Sequence, residues 1–342
     1  MNSNDKALVA DPEWLAHRYQ ADLDLIHFRH VSRAAHANAV FATDEYLGAA
    51  DSVRTIHRQQ ATGMVGERAP LHFIFHSAFC CSTLLARAFE RPGTTMALKE
   101  PYLFNDLVGV RHRSEAQGAA FVERLESALS LLSRPFGAGE AVIIKPSNVA
   151  NALAPAMMAM RPNARAVLLY APLATYLKSI VKKGIVGRLW VRDLLVKLIS
   201  DNIIDLGLAG EDYLRLTDIQ AAAVGWLAQH ALFARMAAKN PDRVRTLDSE
   251  TLLERPHDAL VGLAHLFDLE LSKAEIDAIV AGPAFGSHSK TGSRFGSKDR
   301  DAEYAQAAQG HRDELAKVMV WAEAVARNAS VAMTLPSPLL AP

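Results

Sequence analysis

The residues best suited by type and spacing to do chemistry lie just after short apolar runs. His76-Ser77-Ala78-Phe79-Cys80-Cys81-Ser82-Thr83-Leu84-Leu85 follows one such run and leads directly into a helical pattern. Backbone N–H groups at a helix start and the positive end of its dipole favour an anion, and the Ser82 and Thr83 hydroxyls add donors. The same stretch also reads as an ordinary strand-to-helix turn with Ser82 as N-cap. Cys80 and Cys81 would favour a thiolate at that position, or act as small side chains that let the loop pack closely. Lys145 ends a second apolar run, ahead of Pro146-Ser147-Asn148. An ammonium leaving a buried strand is costly unless paired, so Lys145 is a functional candidate facing the same anion site. After a third run, Thr175, Ser179 and Lys183 stand at i, i+4 and i+8 on one helix face. Lys178 and Lys182 beside them read as solvated surface, whereas Ser179 is flanked by Leu177 and Ile180.

The elements that must position these residues alternate between strand and helix. Leu71–Phe75, Ala141–Ile144, Ala164–Tyr170 and Arg243–Leu247 read as buried strands, and Thr95–Leu98 as a weaker one. Helices are expected over Ser82–Phe89, from about Val149, after Pro172 in a first turn, and after Ser249 as a cap. Long amphipathic segments at 186–209, 211–239 and 304–328 supply further helices. This alternation implies right-handed crossovers and a mainly parallel sheet covered on both faces, with ligands taken beyond the carboxyl ends of its strands. Residues 1–66, with Trp14, Leu15 and Tyr19 and later Phe41, Tyr46 and Leu47 at helical spacing, read as an N-terminal helical cap. Residues 67–330 form the α/β domain, and 331–342, uncharged and containing prolines, form a tail expected to trail along the surface.

Composition removes several classes of function. The 342 residues carry 37 Lys+Arg and 37 Asp+Glu, so a generally basic nucleic-acid binder is excluded. Half the residues are hydrophobic, enough for a large core and against disorder. The two cysteines are adjacent, which argues against a disulfide scaffold and for a reducing compartment. No apolar stretch reaches the ~20 residues of a membrane helix, and no secretory leader pattern opens the sequence; the expectation is a cytoplasmic protein without a membrane span. No GxxxxGK followed by Ser or Thr occurs, which disfavours ordinary ATP hydrolysis. His27, His30 and His36 lack a carboxylate–histidine motif, so no metal is expected. Trp190, Trp226 and Phe285 read as core.

Taken together, order and spacing carry a resemblance that no single motif does. HSAFCCSTLLARAF, then ALKEP, then KPSNVANALAPAMMAMRPNARAVLLYAPLATYLKS and VRTLDSETLLERP resemble the P-loop sulfotransferases, especially the bacterial sulfotransferase-family proteins, over most of residues 70–300. The resemblance implies a P-loop NTPase-like three-layer α/β fold with a central, mainly parallel sheet and extra helices. It also implies the donor 3′-phosphoadenosine 5′-phosphosulfate (PAPS), whose sulfuryl group passes in line to a hydroxyl or amine of a small-molecule acceptor, with no metal required. Two departures stand out. Phe79 occupies a loop position where the family usually has a cation, with no glycine in the loop, and Ala171 falls where an arginine is usual. Ser147 replaces a histidine found in many small-molecule members.

What the resemblance implies for individual residues follows. Glu100, 21 residues after Phe79, would take the acceptor proton, although it can also pair with a cation or start a helix. Lys145 would neutralise the leaving phosphate, and Lys99 would steer Glu100 or replace the absent loop cation. The loop from Phe79 through Cys80, Cys81, Ser82 and Thr83 would hold the 5′-phosphosulfate. Ser179 would contact the 3′-phosphate, helped by Lys183 or by Lys290 and Arg294 in a late basic loop that also reads as plain surface. Rival readings are a nucleotide-dependent kinase or phosphotransferase of the same fold, and a non-catalytic nucleotide-binding protein. The acceptor and the oligomeric state, a homo-oligomer among the options, are not legible.

Overall fold

Three segments between residues 14 and 57 build strands where helices were expected, while Arg33–Asn38 and Asp44–Leu47 are helices as read. The computed structural model describes residues 3–50, 52–203, 205–286 and 310–341. In it β1 (Trp14–Gln20), β2 (Leu25–His30) and β3 (Val53–His57) form an antiparallel sheet in the order β1-β2-β3. Ile26 and Phe28 alternate inward along β2, the period of a half-buried strand. A register shift between Ala16 and Arg18 breaks that period in β1, so Leu15, Ala16 and His17 are all buried in succession. Arg134, buried among the carbonyls of Val9, Asp11, Trp14 and Leu131, ties this sheet's leading edge to the rest of its unit.

The second sheet follows expectation: the fold is α/β, with a five-stranded parallel sheet flanked by helices. Its strands are β4 (Leu71–His76), β5 (Thr95–Lys99), β6 (Ala141–Lys145), β7 (Ala166–Tyr170) and β8 (Val244–Asp248), in the order β5-β6-β4-β7-β8. The first three are buried at every position, which is why their sequences run apolar without alternation. Parallel pairing is explicit for β4 with β6 and β5 with β6. Beside β4, Phe73 and Ser77 donate to the carbonyls of Arg165 and Leu169, four residues on in both segments and hence parallel. The chain travels to one side of β4 for β5 and β6 and to the other for β7 and β8. The loop after β4 therefore stands where an open α/β sheet reverses direction, the usual ligand position.

The chain divides into two compact units, 1–75 with 83–166, and 76–82 with 167–342. Several helices differ in detail from the expected ones. The segment after Asn148 opens as a 3-10 helix, Asn148–Leu153, before the helix Ala154–Met160. Pro172 is the N-cap of the helix Leu173–Lys182 rather than part of its first turn. Asp248, not Ser249, caps the next helix, accepting from the N–H groups of Glu250 and Thr251. The expected helix over 211–239 is two, Gly210–Arg215 and Asp218–Lys239, because Thr217 and Gln220 form a capping box that restarts the chain.

The C-terminal tail does not trail along the surface. Ser337 accepts from Thr246 N–H at 2.9 Å, Leu339 donates to Thr246 O at 2.8 Å, and the Thr246 hydroxyl donates to Pro336 O. The tail thus covers the open edge of β8 with its backbone, a standard way of blocking edge pairing, and buries Val331 and Leu335.

Candidate functional site

Within the first unit, β5 and β6 run side by side with Lys99 opposite Lys145 in register. The ladder continues one step past β5, where Glu100 N–H donates to Lys145 O at 2.6 Å. Glu100 then turns sharply: its φ is 53°, a left-handed conformation that costs an ordinary side chain energy and is retained where surroundings impose it. That turn brings the carboxylate to Lys145, whose Nζ donates to Glu100 Oε1. The lysine side chain is 1% exposed and the glutamate's 16%. A buried ammonium of this kind persists only when paired, and Lys145 has a second support in the Phe41 ring, 5.0 Å from Nζ to centroid.

Phe41 packs edge-on against Tyr46, with centroids 5.1 Å apart, and Tyr46 is 40% exposed. Burial, then the neighbouring Glu45 and Glu100 carboxylates, hold the Tyr46 phenol above its ordinary pKa. Sequence reasoning missed both aromatics, since their spacing suggested a helix and their link to Lys145 is tertiary. The segment is pinned across the strand ends by Ala42 N–H, which donates to Lys99 O at 2.6 Å.

Lys99 is not brought to Glu100. Its ammonium donates to His36 O at 2.6 Å and Ala37 O at 3.0 Å, making it an internal anchor for the segment leading to Phe41. Burial pulls its pKa down to about 8, against the opposing pull of Glu90. Thr83, the second residue of the helix Ser82–Ala88, is buried.

In the second unit, the loop after β4 holds three non-glycine residues in the left-handed conformation. Ala78, Phe79 and Cys81 have φ values of 70°, 52° and 62°. Side chains hold the strained backbone: Ala78 N–H donates to His76 Nδ1 at 3.1 Å, and Ala171 N–H to Ser77 Oγ at 3.3 Å. Cys80 is buried, with its thiol directed at Leu169 O, which fits the close-packing reading of that cysteine. Cys81 is half-buried, and Ser82 begins the following helix.

Phe79 and Ala171 both contact aromatic side chains. Phe79 stacks edge-on with Tyr176 and Trp190 at 5.9 and 5.3 Å between centroids, so aromatic packing anchors the loop at that position. Ala171 is fully buried and its carbonyl accepts from Trp226 Nε1 at 2.8 Å. Ser179 is buried, and its hydroxyl donates to Thr175 O at 2.9 Å within its own helix. Lys183 is exposed at the junction with the helix Gly184–Ser200. Lys290 and Arg294 lie outside the described residues. Trp226 belongs to the core, stacked on His230 at 4.0 Å. Among the described residues, no group of three His, Cys, Asp or Glu is placed to hold a metal ion, and no helix is long and apolar enough to cross a membrane.

No family model matches the chain, and no curated protein does. Among solved structures it is similar to a sulfotransferase domain from the curacin biosynthetic pathway, with 13% identity and a TM-score of 0.42 over 71% of this chain and 97% of that one. A likeness at that level assigns neither a reaction nor site residues.

Proposed function

We propose that the protein is a sulfotransferase that moves a sulfuryl group from PAPS to the hydroxyl or amine of a small-molecule acceptor. The observation that carries this reading is the buried Lys145–Glu100 pair at the carboxyl ends of two neighbouring parallel strands, where a base and a cation are supplied together. The donor's sulfur–oxygen bond to phosphate breaks as a bond from sulfur to the acceptor forms. Such a transfer has a loose transition state, by analogy with phosphoryl transfer, so positioning and charge stabilisation dominate. Glu100 takes the acceptor proton, and Lys145 then turns its charge to the phosphate oxygen that carries the departing electron pair. The N–H groups of the loop from Phe79 to Thr83, with the hydroxyls of Ser82 and Thr83, hold the phosphosulfate oxygens. Ser179, after a change of rotamer, and Lys183 serve the 3′-phosphate.

Phe79 and Ala171 favour a second reading, in which the same fold binds a nucleotide without catalysis. Transfer from PAPS to a panel of hydroxyl and amine acceptors distinguishes them. Sulfated product from the wild type, lost in Glu100→Gln while adenosine 3′,5′-bisphosphate still binds, supports the assignment. Full transfer activity in that variant removes Glu100 as the base, and bisphosphate binding with no product from any acceptor favours the non-catalytic reading.

A further inference from the structure

The helices Gly184–Ser200 and Asp218–Lys239 pack closely at Gly225, where an added Cβ would lie 3.6 Å from Leu198. Further along, the described residues of the chain joining them are pinned by three hydrogen bonds. Arg235 reaches across to donate to Ile203 O, Gly207 N–H donates to Asp205 Oδ1 at 2.7 Å, and Asp212 caps the short helix after it by accepting from Ala209 N–H at 2.8 Å. Beneath this bridge lies a cavity of about 330 Å³. Leu195, Leu198, Val224 and Ala228 line it from the two helices, and Leu206 from the bridge. Small-molecule sites start near 300 Å³ and combine apolar walls with a few polar groups.

The polar groups are Asn202, Asp205 and Tyr213, all on the bridge. Asn202 and Asp205 are exposed, and Asp205 is the one charged side chain among the described residues that line the cleft. No lysine or arginine is among those lining residues; Arg235 bonds the Ile203 carbonyl, and Arg215 pairs with Glu211 at 3.5 Å. We propose that this cleft binds a small cationic amphiphile, a primary amine on an aliphatic chain, with the chain among Leu195, Leu198, Val224 and Ala228 and the ammonium against Asp205. This site lies within the second unit and does not depend on the sulfotransferase reading.

The test is calorimetric titration of the full chain at low ionic strength with octylamine, octanol, octanoate and hexylamine. Octylamine binds most tightly and octanoate most weakly. Hexylamine binds about fifteenfold more weakly than octylamine, since each buried methylene is worth about fourfold in affinity. Asp205→Asn keeps an acceptor for Gly207 N–H, so the bridge stays intact, yet it removes the preference for octylamine over octanol. Ala228→Phe fills the cavity and abolishes binding. Equal affinity for the amine and the carboxylate, or binding that survives Ala228→Phe with a wild-type circular dichroism spectrum, overturns the proposal. Should Ala228→Phe fail to fold, Asp205→Asn and the chain-length comparison still decide it: an unchanged amine preference or no loss with the shorter chain refutes the site.

Discussion

Removing the charge of Glu100 should cost far more stability than removing that of Lys145, because the two ends of this ion pair are unequally buried. Glu100→Gln takes from Lys145, 1% exposed, the carboxylate it now bonds. Breaking a buried pair from one side costs about 3–5 kcal/mol, and the amide's surviving acceptor oxygen places this case at the lower end. Lys145→Met fills the same volume and leaves a carboxylate that is 16% exposed and within reach of water. That places its cost at about 1–2 kcal/mol, the range for a partly buried polar group that loses one hydrogen-bond partner. The double variant loses both charges and should cost little more than Lys145→Met alone, giving a coupling of about 2–3 kcal/mol. Urea unfolding of the four proteins, followed by circular dichroism, measures the cycle. Additivity of the two single changes to within about 0.5 kcal/mol, or a larger loss for Lys145→Met than for Glu100→Gln, refutes this reasoning.

Other consequences follow from the loop, the buried histidines and the tail. Cys81 sits at φ 62°, so Cys81→Gly should leave stability unchanged or raise it by up to about 1 kcal/mol, while Cys81→Val should cost at least about 1 kcal/mol; denaturant midpoints in the reverse order contradict the assigned loop conformation. Burial pulls the pKa of His230 down to about 4, against the raising effect of its hydrogen bond to Met333 O, and burial pulls His36 down to about 3. The unfolded chain therefore binds more protons below its histidine pKa near 6.5, so stability is fully present above that pH and falls as pH drops toward 4. His230 alone contributes about 3 kcal/mol of this loss. His230→Gln should flatten the pH dependence of the urea midpoint, and an unaltered slope contradicts the assignment. Truncation after Ser330 removes the strand-edge bonds to Thr246 and the packing of Leu339 at Gly262; a denaturant midpoint equal to that of the full chain shows that the tail adds no stability.

The large sheet was legible because strands buried on both faces are continuous apolar runs, and Lys145 stood out as a charge ending one of them. Glu100 became a candidate only through the family resemblance, since its pairing depends on the β5–β6 register and its left-handed turn. The N-terminal sheet was hidden by the irregularity at Ala16 and Arg18, which lets Trp14, Leu15 and Tyr19 mimic helical spacing. The alternation of Ile26 and Phe28 was the available signal. Nothing in the residue types of Ala78, Phe79 and Cys81 announces positive φ, because glycine or asparagine is the usual marker. The tail docks through backbone groups, which every sequence possesses, so its pairing with Thr246 left no trace in composition.

The central claim is that this fold carries a site for a 3′-phosphorylated adenosine donor. Calorimetric titration with adenosine 3′,5′-bisphosphate, compared with ADP and with ATP plus Mg²⁺, tests it most directly. The account predicts selective binding of the bisphosphate; preference for ATP with Mg²⁺, or no binding of any of the three, contradicts it.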